Sequence, residues 1–349
     1  MKTIIIQKHI PNYRYVFFEL LSKRVDLTVI HSDPTFNEKD VGFKVKFIPI
    51  KSFLFLEIQY GLLKFISIEK PNYLVVMMDL HFLHVLLLGI VNVLGLKIIW
   101  WGPWITNFNL SNRIRLYFMS KYPSILYSER HKTEFVNKNI DPNKLFVSNN
   151  TIGVSTRAKS FKYNTKDTIL FIGSLNERKG LIETLKIFKN IINCIPKKII
   201  FTIIGDGQMK HKIEHFIKIN PVLKTRVFLK EKITNSEQLN IFFNRSLISI
   251  SMNQAGLSVL HSFANGVPFL TLENSISGGE KWNIINNING YLCANNTEFK
   301  DKLSYYVNNP QICIQMGENA YKYYNTKATP ELMVTNFLKS FQYFDNVNS

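Results

Sequence analysis

Chemistry-bearing residues gather in four glycine-containing loops of the second half of the chain: GSLNERKG (173–180), GDGQ (205–208), NQAG (253–256) and ENSISGGE (273–280). Each follows an apolar, strand-like run, and open parallel sheets bind ligands outside the carboxyl ends of their strands. Arg178 and Lys179 stand just before a helical pattern, while Gly173, Gly205, Gly256 and Gly279 allow sharp turns or close backbone approach. A basic pair, glycines and helix-start amides such as those of Gly256, Leu257 and Ser258 describe a site for an anion such as a diphosphate. Any one of these loops alone is equally an ordinary strand-to-helix turn.

The first half offers fewer candidates. Tyr13 and Arg14 sit in the loop after the first strand, at a helix start, where an arginine suits a phosphate fork or is simply an exposed surface side chain. Asp79, His81 and His84 follow the strand 72–78 and are expected at its ligand-bearing end. His81 and His84, three apart, are expected on one helix face, either orienting a substrate or packing beneath the apolar helix.

The elements that must position these residues alternate. Strands 3–7, 26–31, 72–78, 97–101 and 124–128 interleave with helices in the first half; 168–173, 198–205, 226–230, 247–252 and 267–272 do so in the second. Unbroken apolar strands signal parallel sheets covered on both faces. With 349 residues the chain reads as two Rossmann-like α/β domains facing across a cleft: 1–155, and 156–328 after a polar, basic linker at 155–167. Residues 329–349 are expected to form a helix crossing back to the first domain.

Composition narrows the classes. Hydrophobic residues make up 46% and charged residues 19%, as in a globular protein. The three cysteines are widely spaced and indicate neither a disulfide framework nor a metal site. The opening MKTIIIQKHIPNYR is too short and polar in its apolar run for a signal peptide, so a cytoplasmic protein is expected. The uncharged run 80–96 contains His81, His84 and Asn92 and reads as buried α/β rather than a membrane span. Net charge is +18, spread over both halves, compatible with anionic substrates, an anionic membrane surface or a nucleic-acid groove. No nucleic-acid motif accompanies it. KSFLFLEIQYGLLKF (51–65), apolar between lysines, is expected as a helix, either interfacial or buried on the sheet. QKHIPN after the first strand lacks the Gly-x-Gly-x-x-Gly of a dehydrogenase.

In order and spacing, LFIGSLNERKGLIETLKIF, IIFTIIGDG, GLSVLHSFANGVPFLTLENSISGGE and NGYL resemble the C-terminal domain of the group 1 retaining glycosyltransferases, which have the GT-B fold. PNYRYVFFELL is similar to a loop in a subgroup that builds bacterial surface polysaccharides. Three positions depart from the family pattern: Ser174 replaces the arginine of Gly-Arg-Leu, and Asn253 and His261 replace both glutamates of Glu-x7-Glu. A histidine that many members carry in the first domain falls near Trp101 or Pro103.

The resemblance implies a nucleotide-sugar donor in the second domain, held at Gly173, Ser174, Gly205, Asn253, the 256–258 turn, His261 and Gly279. Asn253 can still donate to and accept from hydroxyls, and a neutral His261 can accept from a ribose hydroxyl or be a core histidine. Lys179 and Arg178 are the implied catalytic positions; Glu280, the remaining carboxylate on the adjacent strand-end loop, and His81 are catalytic candidates read from the residues themselves, although Glu280 also fits a solvated loop. Tyr13, Arg14 and His84 are the candidate acceptor ligands, read from their places at strand ends. No metal and no cofactor are implied. The expected reaction moves a hexose onto a saccharide, polyprenyl-diphosphate-linked or other, in surface polysaccharide, O-antigen or capsule biosynthesis, by an enzyme peripheral on the inner membrane face. The alternative is a catalytically weak GT-B protein acting as a partner subunit or sugar-binding module.

Overall fold

In KTIII, the first strand, Ile4 and Ile6 enter one hydrophobic cluster while Ile5 enters another. This is the period of two of a strand buried on both faces, which is why the sequence shows no polar alternation. The computed structural model describes residues 1–53, 56–92, 94–105, 109–154, 161 and 165–347, and divides into two units, Met1–Gly153 with Pro330–Ser349, and Val154–Thr329. The expected linker lies mostly outside the described residues.

The first unit runs β1 (Lys2–Ile6), α1 (Tyr15–Ser22), β2 (Asp26–His31), β3 (Lys44–Phe47), β4 (Ile50–Phe53), β5 (Leu56–Gln59), α2 (Leu62–Glu69), β6 (Tyr73–Met77), α3 (Leu83–Ile90), β7 (Ile98–Trp101), α4 (Asn109–Lys121), β8 (Ser124–Leu126), α5 (Glu129–Val136) and β9 (Leu145–Val147). Seven strands pair in parallel in the order β3-β2-β1-β6-β7-β8-β9. One correction concerns residues 51–65, expected to be helical: β4 and β5 form an antiparallel hairpin, Lys51 opposite Ile58, and helix begins only at Leu62. Gly61, in the left-handed region at φ +86°, separates the two.

The second unit runs β10 (Thr168–Ile172), α6 (Leu181–Ile191), β11 (Ile200–Ile204), α7 (Lys210–Ile219), α8 (Pro221–Lys224), β12 (Val227–Lys230), α9 (Ser236–Arg245), β13 (Ser246–Ile250), α10 (Ser258–Ala264), β14 (Phe269–Leu272), β15 (Gly290–Cys293), α11 (Asn296–Asn308) and α12 (Pro310–Lys327). Its six strands are parallel in the order β12-β11-β10-β13-β14-β15, the doubly wound Rossmann order. Here Ile169 and Phe171 face one core and Leu170 the other. Both units are therefore Rossmann-like α/β layers.

The last helix, α13 (Pro330–Val347), completes the core of the first unit. Phe337 packs edge-on against Phe17 and Trp101, and Phe341 stacks on Tyr73 at 4.3 Å. Burying each such ring stabilises the unit by about 1.5–3 kcal/mol. No described helix is long and apolar enough to cross a membrane.

Candidate functional site

Strand order decides where a ligand fits. In the second unit β10 lies between β11 and β13, so the crossovers leaving its two sides diverge, and the loops after β10 and β13 open a crevice. Lys179 ends the turn Glu177–Lys179 in the first of these loops; its Nζ donates to the Gln254 carbonyl of the second at 3.4 Å. Burial pushes the Lys179 pKa down, and the charge of Glu280 opposes that shift. The Asn253 carboxamide rests against Gly180, whose backbone is left-handed at φ +65°. Lys179, Gly180, Asn253, Gln254 and Glu280 are thus brought together at the switch point.

Glu280 is 6% exposed and accepts from the Ser277 hydroxyl at 3.2 Å. It is no solvated loop glutamate. Its loop is pinned by buried Lys281, which donates to the carbonyls of Glu273 at 2.6 Å and Ser275 at 2.5 Å. Gly279, at φ +120°, supplies the turn into Glu280.

At the 256–258 turn a side chain at Gly256 would meet only open space, and the buried Ser258 hydroxyl has no partner among the described residues. His261 packs its ring 4.8 Å from that of Phe243, and burial pushes its pKa down to about 4, leaving it neutral near pH 7. Arg178 and Ser174 are exposed, and the Ser174 hydroxyl accepts from Asn176 at 2.9 Å. Gly205 answers to a different demand from the one expected. A Cβ there would lie 1.9 Å from the Gly173 carbonyl oxygen, and one at Gly207 would lie 2.5 Å from that of Leu175. These glycines let the loops after β10 and β11 pack backbone on backbone.

The first unit has its own switch point, between β1 and β6, and a cavity of about 270 Å³ lies there. Tyr13, Arg14 and His84 line it, joined by Gln7, Lys8, Asp79, Phe82 and Trp104. Arg14 is no surface residue, being 5% exposed. Its Nη1 donates to Gln7 Oε1 at 2.9 Å, its Nη2 to the Tyr127 hydroxyl at 2.8 Å, and its guanidinium lies 4.2 Å from the centre of the Trp101 ring. Trp101, which with Pro103 is one of the two positions near which the family histidine falls, is thus the floor under an arginine. Burial pushes the His84 pKa down to about 3 and its Nδ1 finds no partner among the described residues.

His81 does not share a helix face with His84, as the spacing predicts. It precedes α3, is exposed, and pairs with Asp79 at 2.8 Å. Gln7 and Lys8 were legible as the residues following β1. Tyr127, 113 residues from Arg14 in the chain, carries no sequence signal.

Residues 155–323 match the model of a family described as glycosyl transferases group 1. The second unit belongs to the group 1 glycosyl transferases. The loops after β10, β13 and β14 that gather Lys179, Asn253 and Glu280 are therefore those of a glycosyl transferase unit. No curated protein matches the chain by sequence. Among solved structures, Anabaena HepE in complex with UDP is 11% identical with a TM-score of 0.75, covering 98% of this chain and 100% of that one. A variant of S. aureus TarM, in complex with fondaparinux, alpha-GlcNAc-glycerol and UDP, is 12% identical with a TM-score of 0.71, covering 98% and 100%. WaaG, a glycosyltransferase involved in lipopolysaccharide biosynthesis, is 12% identical with a TM-score of 0.66, covering 97% and 99%. At such identities the likeness is one of fold, and it extends over both units.

Proposed function

We propose that this chain transfers a hexose from a nucleotide diphosphate sugar to a saccharide acceptor, the donor binding in the glycosyl transferase unit. The observation that carries the reading is Lys179, a half-buried cation set between the two switch-point loops with Glu280 and Asn253 beside it. The UDP held by HepE and TarM supports a nucleotide donor. In the reaction the acceptor oxygen attacks the anomeric carbon as the bond from that carbon to the diphosphate breaks. The electron pair leaves on the diphosphate oxygen, which takes the acceptor proton, and attack on the departing face retains configuration. Lys179, Arg178 and the 256–258 amides offset the developing charge, while Glu280 and Asn253 bind sugar or ribose hydroxyls.

Tyr13, Arg14 and His84 hold the acceptor. A lipid-linked acceptor in surface polysaccharide synthesis is the finer reading, supported by the fold likeness to WaaG. The uncharged run 80–96 exposes Leu87, Ile90, Val91 and Leu94, an apolar face by which a basic protein lies on an anionic membrane. Loss of vesicle binding in Ile90→Glu tests that contact.

The test of the main reading is a thermal-shift screen of UDP, GDP and related sugars on wild type and Lys179→Ala. One nucleotide is expected to stabilise wild type, with affinity falling about 10- to 100-fold in the variant, the worth of a charge-assisted hydrogen bond. Equal shifts in both proteins overturn it. A second reading, a sugar-binding module without turnover, is favoured by Asn253 and His261 standing where the family pattern has carboxylates. Nucleotide binding without transfer to any acceptor selects it.

A further inference from the structure

The cavity at the β1–β6 switch point contains a cation without a counter-charge. Arg14 carries five N–H donors and a permanent charge. Its partners, the Gln7 amide, the Tyr127 hydroxyl, the Met77 sulfur at 3.7 Å and the Trp101 ring, are all neutral. Its Nε is buried with no partner among the described residues, and none of their carboxylates forms an ion pair with it. A buried charge left without its partner is strongly destabilising, and Arg14 stands in that situation.

The other charged or titratable groups lining the cavity have partners of their own. Lys8 holds Glu57 at 2.5 Å, His9 faces Asp33 at 3.5 Å, and Asp79 pairs with His81 at 2.8 Å. Asp79 also bears on Arg115, whose guanidinium lies 5.1 Å from the Trp104 ring. Lys8, His9, Asp79 and Arg14 are the charged or titratable side chains at the cavity wall besides neutral His84 and Tyr13. Arg14 is the charge there that is buried and has no ion-pair partner among the described residues.

The geometry points to an anionic saccharide as the ligand of this cavity: a sugar unit bearing a carboxylate or a phosphate, its anion on the Arg14 guanidinium and its ring against Trp104 and Phe82. This rests on the acceptor role given above to the first unit and narrows it from a saccharide to a charged one. A volume of about 270 Å³ is near the lower end for ligand sites, room for one sugar ring with its charged group rather than a chain. Trp104, 41% exposed, offers an aromatic face for the apolar side of a pyranose.

The experiment measures binding of glucose, glucuronate and glucose 6-phosphate to the full chain by titration calorimetry. Wild type is expected to bind at least one charged sugar 10-fold or more tighter than glucose, and which of the two does so separates a carboxylate from a phosphate. Arg14→Gln is expected to abolish the preference and Arg14→Lys to weaken it, with UDP binding retained as the sign of an intact second unit. Because Arg14 is buried, the exposed Trp104→Ala provides a second variant, in which the charged sugar binds at least 5-fold more weakly. Equal affinity for all three sugars, a preference that survives Arg14→Gln, or an unaffected Trp104→Ala overturns the proposal. Loss of UDP binding alone, with the preference intact, would instead count against the donor reading.

Discussion

The side-chain amide of Asn253 rests on the α-carbon of Gly180, so that a methyl group placed there would sit 2.5 Å from Asn253 Nδ2. Gly180 also begins α6 from a left-handed backbone at φ +65°. Gly180→Ala therefore meets both a clash and a backbone penalty, and is expected to destabilise the second unit by about 2–3 kcal/mol. In an Asn253→Gly background only the backbone part, about 1 kcal/mol, remains. Denaturant titration of the double-mutant cycle checks this; a cost unchanged by Asn253→Gly would show that the contact is not made.

Two other glycines separate folding from binding. Gly205→Ala drives a methyl into the Gly173 carbonyl and is expected to cost at least about 3 kcal/mol or prevent folding. Gly256→Ala points into open space and is expected to change stability by less than about 0.5 kcal/mol while lowering nucleotide affinity. Melting curves with and without nucleotide distinguish them.

Lys179 is held with its pKa lowered by burial, only partly offset by Glu280. A diphosphate alongside restores the charged form, so binding takes up protons at alkaline pH and weakens as pH rises through the lowered pKa. Calorimetry in two buffers of different ionisation enthalpy reads the uptake directly. It is expected to vanish in Lys179→Met, and its absence from wild type would remove the lysine from the anion site.

Acid stability follows in part from the two histidines whose pKa values are pushed down furthest. His84 and His261 have folded pKa values of about 3 and about 4, below the unfolded 6.5. The unfolded chain therefore takes up protons that the folded chain refuses, and stability falls as pH drops below about 6.5, by about 2 kcal/mol per histidine at pH 5. Above pH 7.5 neither contributes. His84→Leu is expected to lose less stability than wild type between pH 7.5 and 5, and parallel pH profiles would contradict the buried neutral state.

If Lys179, Arg178 and the turn amides offset the diphosphate charge, sugar transfer proceeds at an unchanged rate in excess EDTA. A loss of transfer restored by a divalent ion would require an added charge in the donor site.

Most of the two sheets was readable because parallel strands covered on both faces must be apolar without interruption, as in TIII and TILFI. The stretch 51–65 was not, since FLFLEIQY satisfies a buried helix and an amphipathic hairpin alike, and the pairing of Lys51 with Ile58 decides between them. His81 and His84 share a spacing that fits one helix face, yet α3 begins at Leu83, leaving one exposed and one buried.

Local order alone determined the alternation of strands and helices, the glycine loops at strand ends, and the kinship of the second unit, because each is written in contiguous residues. Only the tertiary structure decided that Gly205 answers to Gly173, that Glu280 bears on Lys179, and that Arg14 lies buried on Trp101 between Gln7 and Tyr127 without a counter-charge. Apart from Gln7 with Arg14, those relations join residues tens of positions apart. Burial, clash and charge balance come into being only when the sheet sets such residues side by side.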